Sequence, residues 1–150
     1  VYRLANLPPL ANPDLATVAK RIPHGVICLI SALAYHELTT QIPHEVHLAL
    51  PRTARHPRLS HPPLRVYYFS AEAFEAGIDA PIIDGLTVRI YNPAKTLADC
   101  FKYRSKIGMD VVLEALRAYR SKHPRLQQVL QYAKVCRVER LMRPYLEALR

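Results

Sequence analysis

Apolar and polar positions change rhythm partway along this chain of 150 residues. Before Asn92, short apolar runs are interrupted by Pro, Gly, Asn and Asp. After it, apolar residues recur at three- and four-residue intervals. The first regime predicts short strands and helices between turns, the second a series of amphipathic helices. Residues 1–4 alternate and read as the end of a β-hairpin, followed by a Pro-containing connector. Asn12-Pro13-Asp14 predicts a helix start, with Asn12 as cap and Pro13 in the first helical position. That helix reaches Arg21 and stops before Pro23. Residues 25–37 are predicted as a second helix, because Val26, Leu29, Ile30, Leu33 and Ala34 follow helical spacing. Residues 45–50 predict a strand ending at Pro51, and residues 51–63, rich in Arg, His and Pro, a loop.

Residues 65–69 predict another strand. Ser70 is placed to cap a short helix over 71–76, which Gly77 ends. Two β-like runs, 80–83 and 86–91, meet at Asp84-Gly85, a strong two-residue hairpin signal. Asn92-Pro93 then begins a helix expected to reach Ile107 and end at Gly108. Leu97, Phe101, Arg104 and Ile107 lie on one side of it, and Lys95, Asp99, Lys102 and Lys106 on the other. Asp110 is placed to cap a further helix through Tyr119. Pro124 is placed to begin the next, with Leu126, Val129, Leu130 and Ala133 inward. The last carries Leu141, Met142, Tyr145, Leu146 and Leu149, with Pro144 kinking it or marking its start. The expected fold is α+β: a small, mostly antiparallel sheet with flanking helices and a C-terminal helical bundle.

Charge sharpens this picture. The net charge is +9, but residues 1–91 contribute only +1, and residues 92–150 contribute +8. Concentrated positive charge favours an acidic or polyanionic partner, although a solvated helical surface has the same composition. Cys28, Cys100 and Cys136 are far apart and odd in number, so a reduced, cytoplasmic setting is expected rather than a disulfide framework. No apolar run approaches the ~18 residues of a membrane span. The chain begins without Met inside a strand-like segment, so further residues are expected upstream.

Three segments resemble the AbiEi-type antitoxins, which also act as transcriptional repressors. One is Ser31-Ala32-Leu33-Ala34-Tyr35-His36-Glu37-Leu38-Thr39, similar to a family helix of the form Ser-Ala-Leu-x-x-His-x-Leu-Thr. The second is the strand of residues 46–51 leading into an Arg-rich loop. The third is Tyr91-Asn92-Pro93-Ala94-Lys95-Thr96-Leu97-Ala98-Asp99-Cys100-Phe101, which resembles the family's Pro-x-Lys/Arg-Thr-x-x-Asp helix start. Glu37 departs from the pattern, since the family often has Gly there. The resemblance implies that residues 1–11 end a winged-helix wing and its linker. It also implies that residues 12–150 form the antitoxin domain, with a helix–strand part over 12–91 and a helical part over 92–150. It further implies a nucleotidyltransferase-like toxin as partner, and promoter DNA contacted mainly through the missing winged helix.

Within that reading, the candidate partner-binding residues are Lys95, Lys102, Lys106, Arg117 and Arg120, with Arg52, Arg55 and Arg58 as a second surface on a loop. A structural role competes for Lys95, because Lys95 and Asp99 are one helical turn apart and can pair. Thr96 and Asp99 can satisfy backbone donors at the helix start. His36 reads as a satisfied, buried histidine. His44 and His47 alternate along a strand and do not converge on a metal. No catalytic residue, metal or cofactor is expected. The rival class is a degenerate nuclease-like enzyme built on Asp79 and Asp84, but the strand that follows, Leu86-Thr87-Val88-Arg89-Ile90, lacks the second carboxylate such a site needs.

Overall fold

The computed structural model describes residues 12–149, so the strand expected at residues 1–4 and the linker up to residue 11 lie outside the described residues. The first part comprises α1 (Asn12–Arg21), β1 (Val26–Ile27), α2 (Leu29–Tyr35), β2 (Val46–Pro51), β3 (Leu64–Phe69) and α3 (Ala71–Glu75). Four two-residue strands follow: β4 (Ile78–Asp79), β5 (Ile82–Ile83), β6 (Leu86–Thr87) and β7 (Ile90–Tyr91). Helices complete the chain: α4 (Pro93–Lys102), α5 (Arg104–Ile107), α6 (Met109–Lys122), α7 (Gln127–Val135) and α8 (Glu139–Ala148).

The class is α+β, and the main sheet is mixed, with strand order β3-β2-β1-β7-β4. The longest ladder, β2 with β3, is parallel from Val46–Leu64 to Pro51–Phe69. β1 also runs parallel to β7, but antiparallel to β2. The expected antiparallel character holds for β4–β7 and for the β5–β6 hairpin. Alternation along a strand does not reveal its neighbour's direction. Residues 52–63 are long enough to return the chain for a parallel pairing, which a tight turn is not.

Residues 25–37 are not one helix. Val26 and Ile27 pair with Ala49 and Leu48, Cys28 is extended, and helix begins only at Leu29. Strand and helix here are both largely buried, so apolar spacing cannot separate them. The helix expected over 92–107 breaks at Tyr103, whose ring packs on Tyr67 and Phe69. α6 runs on to Lys122, and α7 begins at Gln127, after Pro124. Pro144 lies inside α8. Met142 and Leu146 are buried as expected, but Leu141 and Tyr145 are 48% and 40% exposed.

Two apolar cores flank β2, whose residues 46–50 are all buried. Val46, Leu48 and Leu50 pack with α1 and the β5–β6 hairpin, while Ala49 faces the larger core with the C-terminal helices. α4 is the centre of that larger core: every residue from Ala94 to Phe101 is buried. The hairpin turn has Asp84 and Gly85 both at positive φ, as a two-residue turn matched to strand twist requires.

α2 and α7 close alike. Glu37 (φ 60) and Arg137 (φ 61) each take the left-handed position just past the helix. Leu38 N–H donates to the Leu33 carbonyl (2.8 Å) and Val138 N–H to the Ala133 carbonyl (2.8 Å), with Leu38 and Val138 buried beneath. This is the Schellman closure, in which Gly is the residue without steric cost. Lys122 Nζ adds hydrogen bonds to the His36 and Glu37 carbonyls (3.3 and 3.1 Å).

Two substitutions test this description. Glu37→Gly removes left-handed strain but adds chain entropy, so unfolding in urea is expected to show a net gain of about 0.5–1 kcal/mol. Gly77→Ala is expected to destabilise by more than ~1 kcal/mol. Gly77 has φ 76, and an added Cβ would lie 2.6 Å from Cβ of Lys95, a fixed part of α4.

Candidate functional site

The helix start at Asn92 positions the central polar group. Asn92 Oδ1 accepts from Lys95 N–H at 2.8 Å, and Pro93 opens the helix. Asn92 thus does the capping expected of Thr96 and Asp99. The Thr96 hydroxyl instead donates to the Tyr91 carbonyl (3.3 Å), which also accepts from His36 Nε2 (2.8 Å).

Lys95 is not on the surface. Its side chain is 0% exposed and that of Asp99 is 2% exposed, so Lys95 is withdrawn from the docking set. The spacing that suggested a polar helix side instead joins the two inside the core. Lys95 Nζ donates to both Asp99 oxygens (2.9 and 2.7 Å) and lies 3.9 Å from the Tyr91 ring centre and 5.1 Å from that of Phe69. Cys136 Sγ donates to Asp99 Oδ1 at 3.3 Å. The Tyr91 hydroxyl is satisfied by the Phe74 carbonyl at 2.6 Å. Burial raises the Asp99 pKa, opposed by Lys95 and by the Cys136 thiol. Burial also raises all three thiols, that of Cys136 to about 12, so they stay protonated and unreactive.

The remaining candidates are accessible. Lys102, Lys106, Arg117, Arg52, Arg55 and Arg58 are exposed, and Arg120 is half-buried with Nε donating to the Leu149 carbonyl at 3.0 Å. They do not form one patch. Arg52 lies close enough to Tyr103 to favour its ionised form against burial, while Lys106 Nζ sits 6.0 Å from the Tyr67 ring centre. The end of β2 and the break after α4 therefore share one basic and aromatic face. Behind it runs a ladder of rings: His47 on Tyr67, Tyr67 against Tyr103, Tyr103 on Phe69, Phe69 on Tyr91. Arg120 lies elsewhere, beside a groove of about 400 Å³ formed with Arg125 and Arg143.

Sequence reasoning missed both the ladder and this groove, because their members come from separated elements. The burial of Lys95 had no local signal either: Lys95, Asp99, Lys102 and Lys106 recur on one side of the helix, a spacing that reads as a solvated stripe.

Among the histidines, His36 is half-buried and satisfied. His47 is 8% exposed, and its Nδ1 has no hydrogen-bond partner among the described residues. Burial lowers its pKa to about 4. Asp79 and Asp84 do not share an element: Asp79 pairs with Ile90 in the main sheet, and Asp84 sits at the turn of the separate β5–β6 hairpin. Among the described residues, no group of three or more His, Cys, Asp or Glu is placed to hold a metal ion. No family model matches the chain, and no curated protein matches its sequence.

Asp99→Ala leaves a charged lysine buried without a partner and is expected to destabilise by about 3–5 kcal/mol in denaturant unfolding. The double change Lys95→Met with Asp99→Leu is expected to recover most of that loss. For His47, the unfolded chain takes up a proton near the ordinary value of 6.5, and the folded chain only near 4. Stability is therefore full above that window and falls through it as pH drops, by up to about 3 kcal/mol. His47→Phe is expected to flatten this acid limb in unfolding measurements, and an unchanged limb would exclude His47 as its source.

Proposed function

We propose that this chain is a non-catalytic regulatory module of the AbiEi antitoxin type. It docks through exposed cations of its C-terminal helices onto an acidic protein surface, that of a nucleotidyltransferase-like toxin. Promoter DNA is contacted by a winged helix upstream, with the same positive field assisting.

One observation carries the reading. In the helical half, Lys102, Lys106, Arg117, Lys122, Arg125, Lys134, Arg137, Arg140 and Arg143 are exposed. Among the described residues, only Arg143 of these is held in an ion pair, with Glu139. Of the other carboxylates in this half, Asp99 is sealed with Lys95, Glu114 accepts from Thr39 and Thr40, and Asp110 and Glu147 are exposed, so the exposed cations remain in excess. Unpaired charge of one sign steers association and sets partner choice more than it sets fold stability. The helix start that resembles the family's Pro-x-Lys/Arg-Thr-x-x-Asp pattern supports the reading from another side. In this chain its Lys and Asp are the buried pair, so the motif supplies the scaffold while the residues after it supply the charge.

Co-expression tests the proposal. The chain is expected to relieve growth arrest caused by a nucleotidyltransferase-like protein from the same locus and to co-purify with it. Lys102→Glu with Lys106→Glu is expected to weaken that complex about tenfold or more at ~0.1 M salt and to reduce its salt dependence. The reading is overturned if the wild-type chain neither relieves arrest nor binds, or if charge reversal changes neither affinity nor salt slope.

A further inference from the structure

The groove where α6, α7 and α8 meet differs in kind from the rest of the cationic surface. Its floor is apolar, with Leu126, Leu130 and Leu146 contributing. Leu146 is buried, while Leu126 and Leu130 are half-buried and keep some surface open to solvent. Three guanidinium groups line the same depression, one from each side: Arg120 from α6, Arg125 from the turn before α7, and Arg143 from α8. Two are fixed in place. Arg120 is held by the Leu149 carbonyl, and Arg143 is braced by Glu139 one turn earlier on α8.

We infer that this groove is a docking site for an acidic, apolar-tipped segment of a partner protein, an amphipathic stretch with Leu or Phe side chains on one face and carboxylates on its flanks. The site's chemistry selects that occupant over a nucleic acid. A phosphodiester backbone would meet the arginines but leave the leucine floor facing water or sugar, with no apolar group to cover it. Glu147 also lines the groove, where it repels a continuous run of phosphates but can accept from a peptide N–H or a partner lysine. Arginine matches carboxylates with two parallel hydrogen bonds, and its planar group packs beside apolar side chains. A concave apolar patch rimmed by charge is the usual form of a helix-in-groove site. The inference builds on the docking role proposed above and assigns it a second, chemically distinct surface.

The test uses the full chain and defined probes. One probe is a 14-residue peptide with Leu at positions i, i+3, i+4 and i+7 and Glu elsewhere, ~3–4 helical turns long. The second is an all-Glu peptide of the same length, and the third a short DNA duplex. Amide chemical shifts are followed on titration. The amphipathic peptide is expected to perturb Arg120, Leu126, Leu130 and Leu146 together, and to bind about tenfold or more tighter than the all-Glu peptide. Arg125→Glu with Arg143→Glu, at exposed positions, is expected to abolish that preference while the rest of the spectrum stays folded. The inference is overturned if the all-Glu peptide binds equally well, if the shifts map to Lys102 and Lys106 instead, or if the duplex occupies the groove in preference to the peptide. Those results leave the toxin-docking reading standing on its own co-expression test. Conversely, loss of that reading with groove binding retained would leave a peptide site serving some other acidic protein.

Discussion

Two opposite charges held away from water on adjacent turns of one helix must be satisfied by whatever surrounds them. Lys95 and Asp99 meet that condition through both carboxylate oxygens, two aromatic faces and a thiol. Each partner comes from a different stretch: Phe69 from β3, Tyr91 from β7, and Cys136 from the end of α7. Gly77 must remain without a side chain because Lys95 passes beside it. A buried ion pair adds little net stability compared with an apolar replacement, but it penalises any arrangement that separates its members. Its contribution here is to fix α4 in register against the sheet and against α7.

That division of labour explains how so basic a chain keeps an ordered core. Among the described residues, the one lysine inside is matched by one aspartate, and the remaining cations of the helical half lie at or near the surface. The interior therefore places little demand on most of the surface charge. Core packing and surface charge thus rest largely on separate residues, with Arg120 and Lys122 serving both through their bonds to backbone carbonyls.

Local signals were legible in the sequence. Asn92-Pro93 marks the start of α4, Ser70 caps α3 through Ala73 N–H, and Asp84-Gly85 turns the hairpin, because each depends on a few adjacent residues. Residues 25–27 were not legible, since their extended form is decided by Leu48 and Ala49 across the sheet. Nor was the parallel alignment of β2 and β3, which is set by the path of the connecting segment. The break at Tyr103 follows from rings on β3 that lie more than thirty residues away in sequence. For the candidate site, identity was easier than location. Lys102, Lys106, Arg117, Arg52, Arg55 and Arg58 are exposed, Arg120 is half-buried and Lys95 is sealed in the core, but the separation into a face by Tyr103 and a groove by Arg120 depends on how the helices pack.

Among the described residues, β3 ends the larger sheet, with β2 on one side and no strand on the other. The backbone N–H and C=O groups along such a rim are a template on which a second copy of the chain can add its own strand. Arg65 stands exposed on this strand, and the connection that leads into it carries Arg52, Arg55 and Arg58. Two copies approaching rim to rim would bring these like charges together. Beside any recruiting use, like charge at this rim opposes the pairing of two copies through β3.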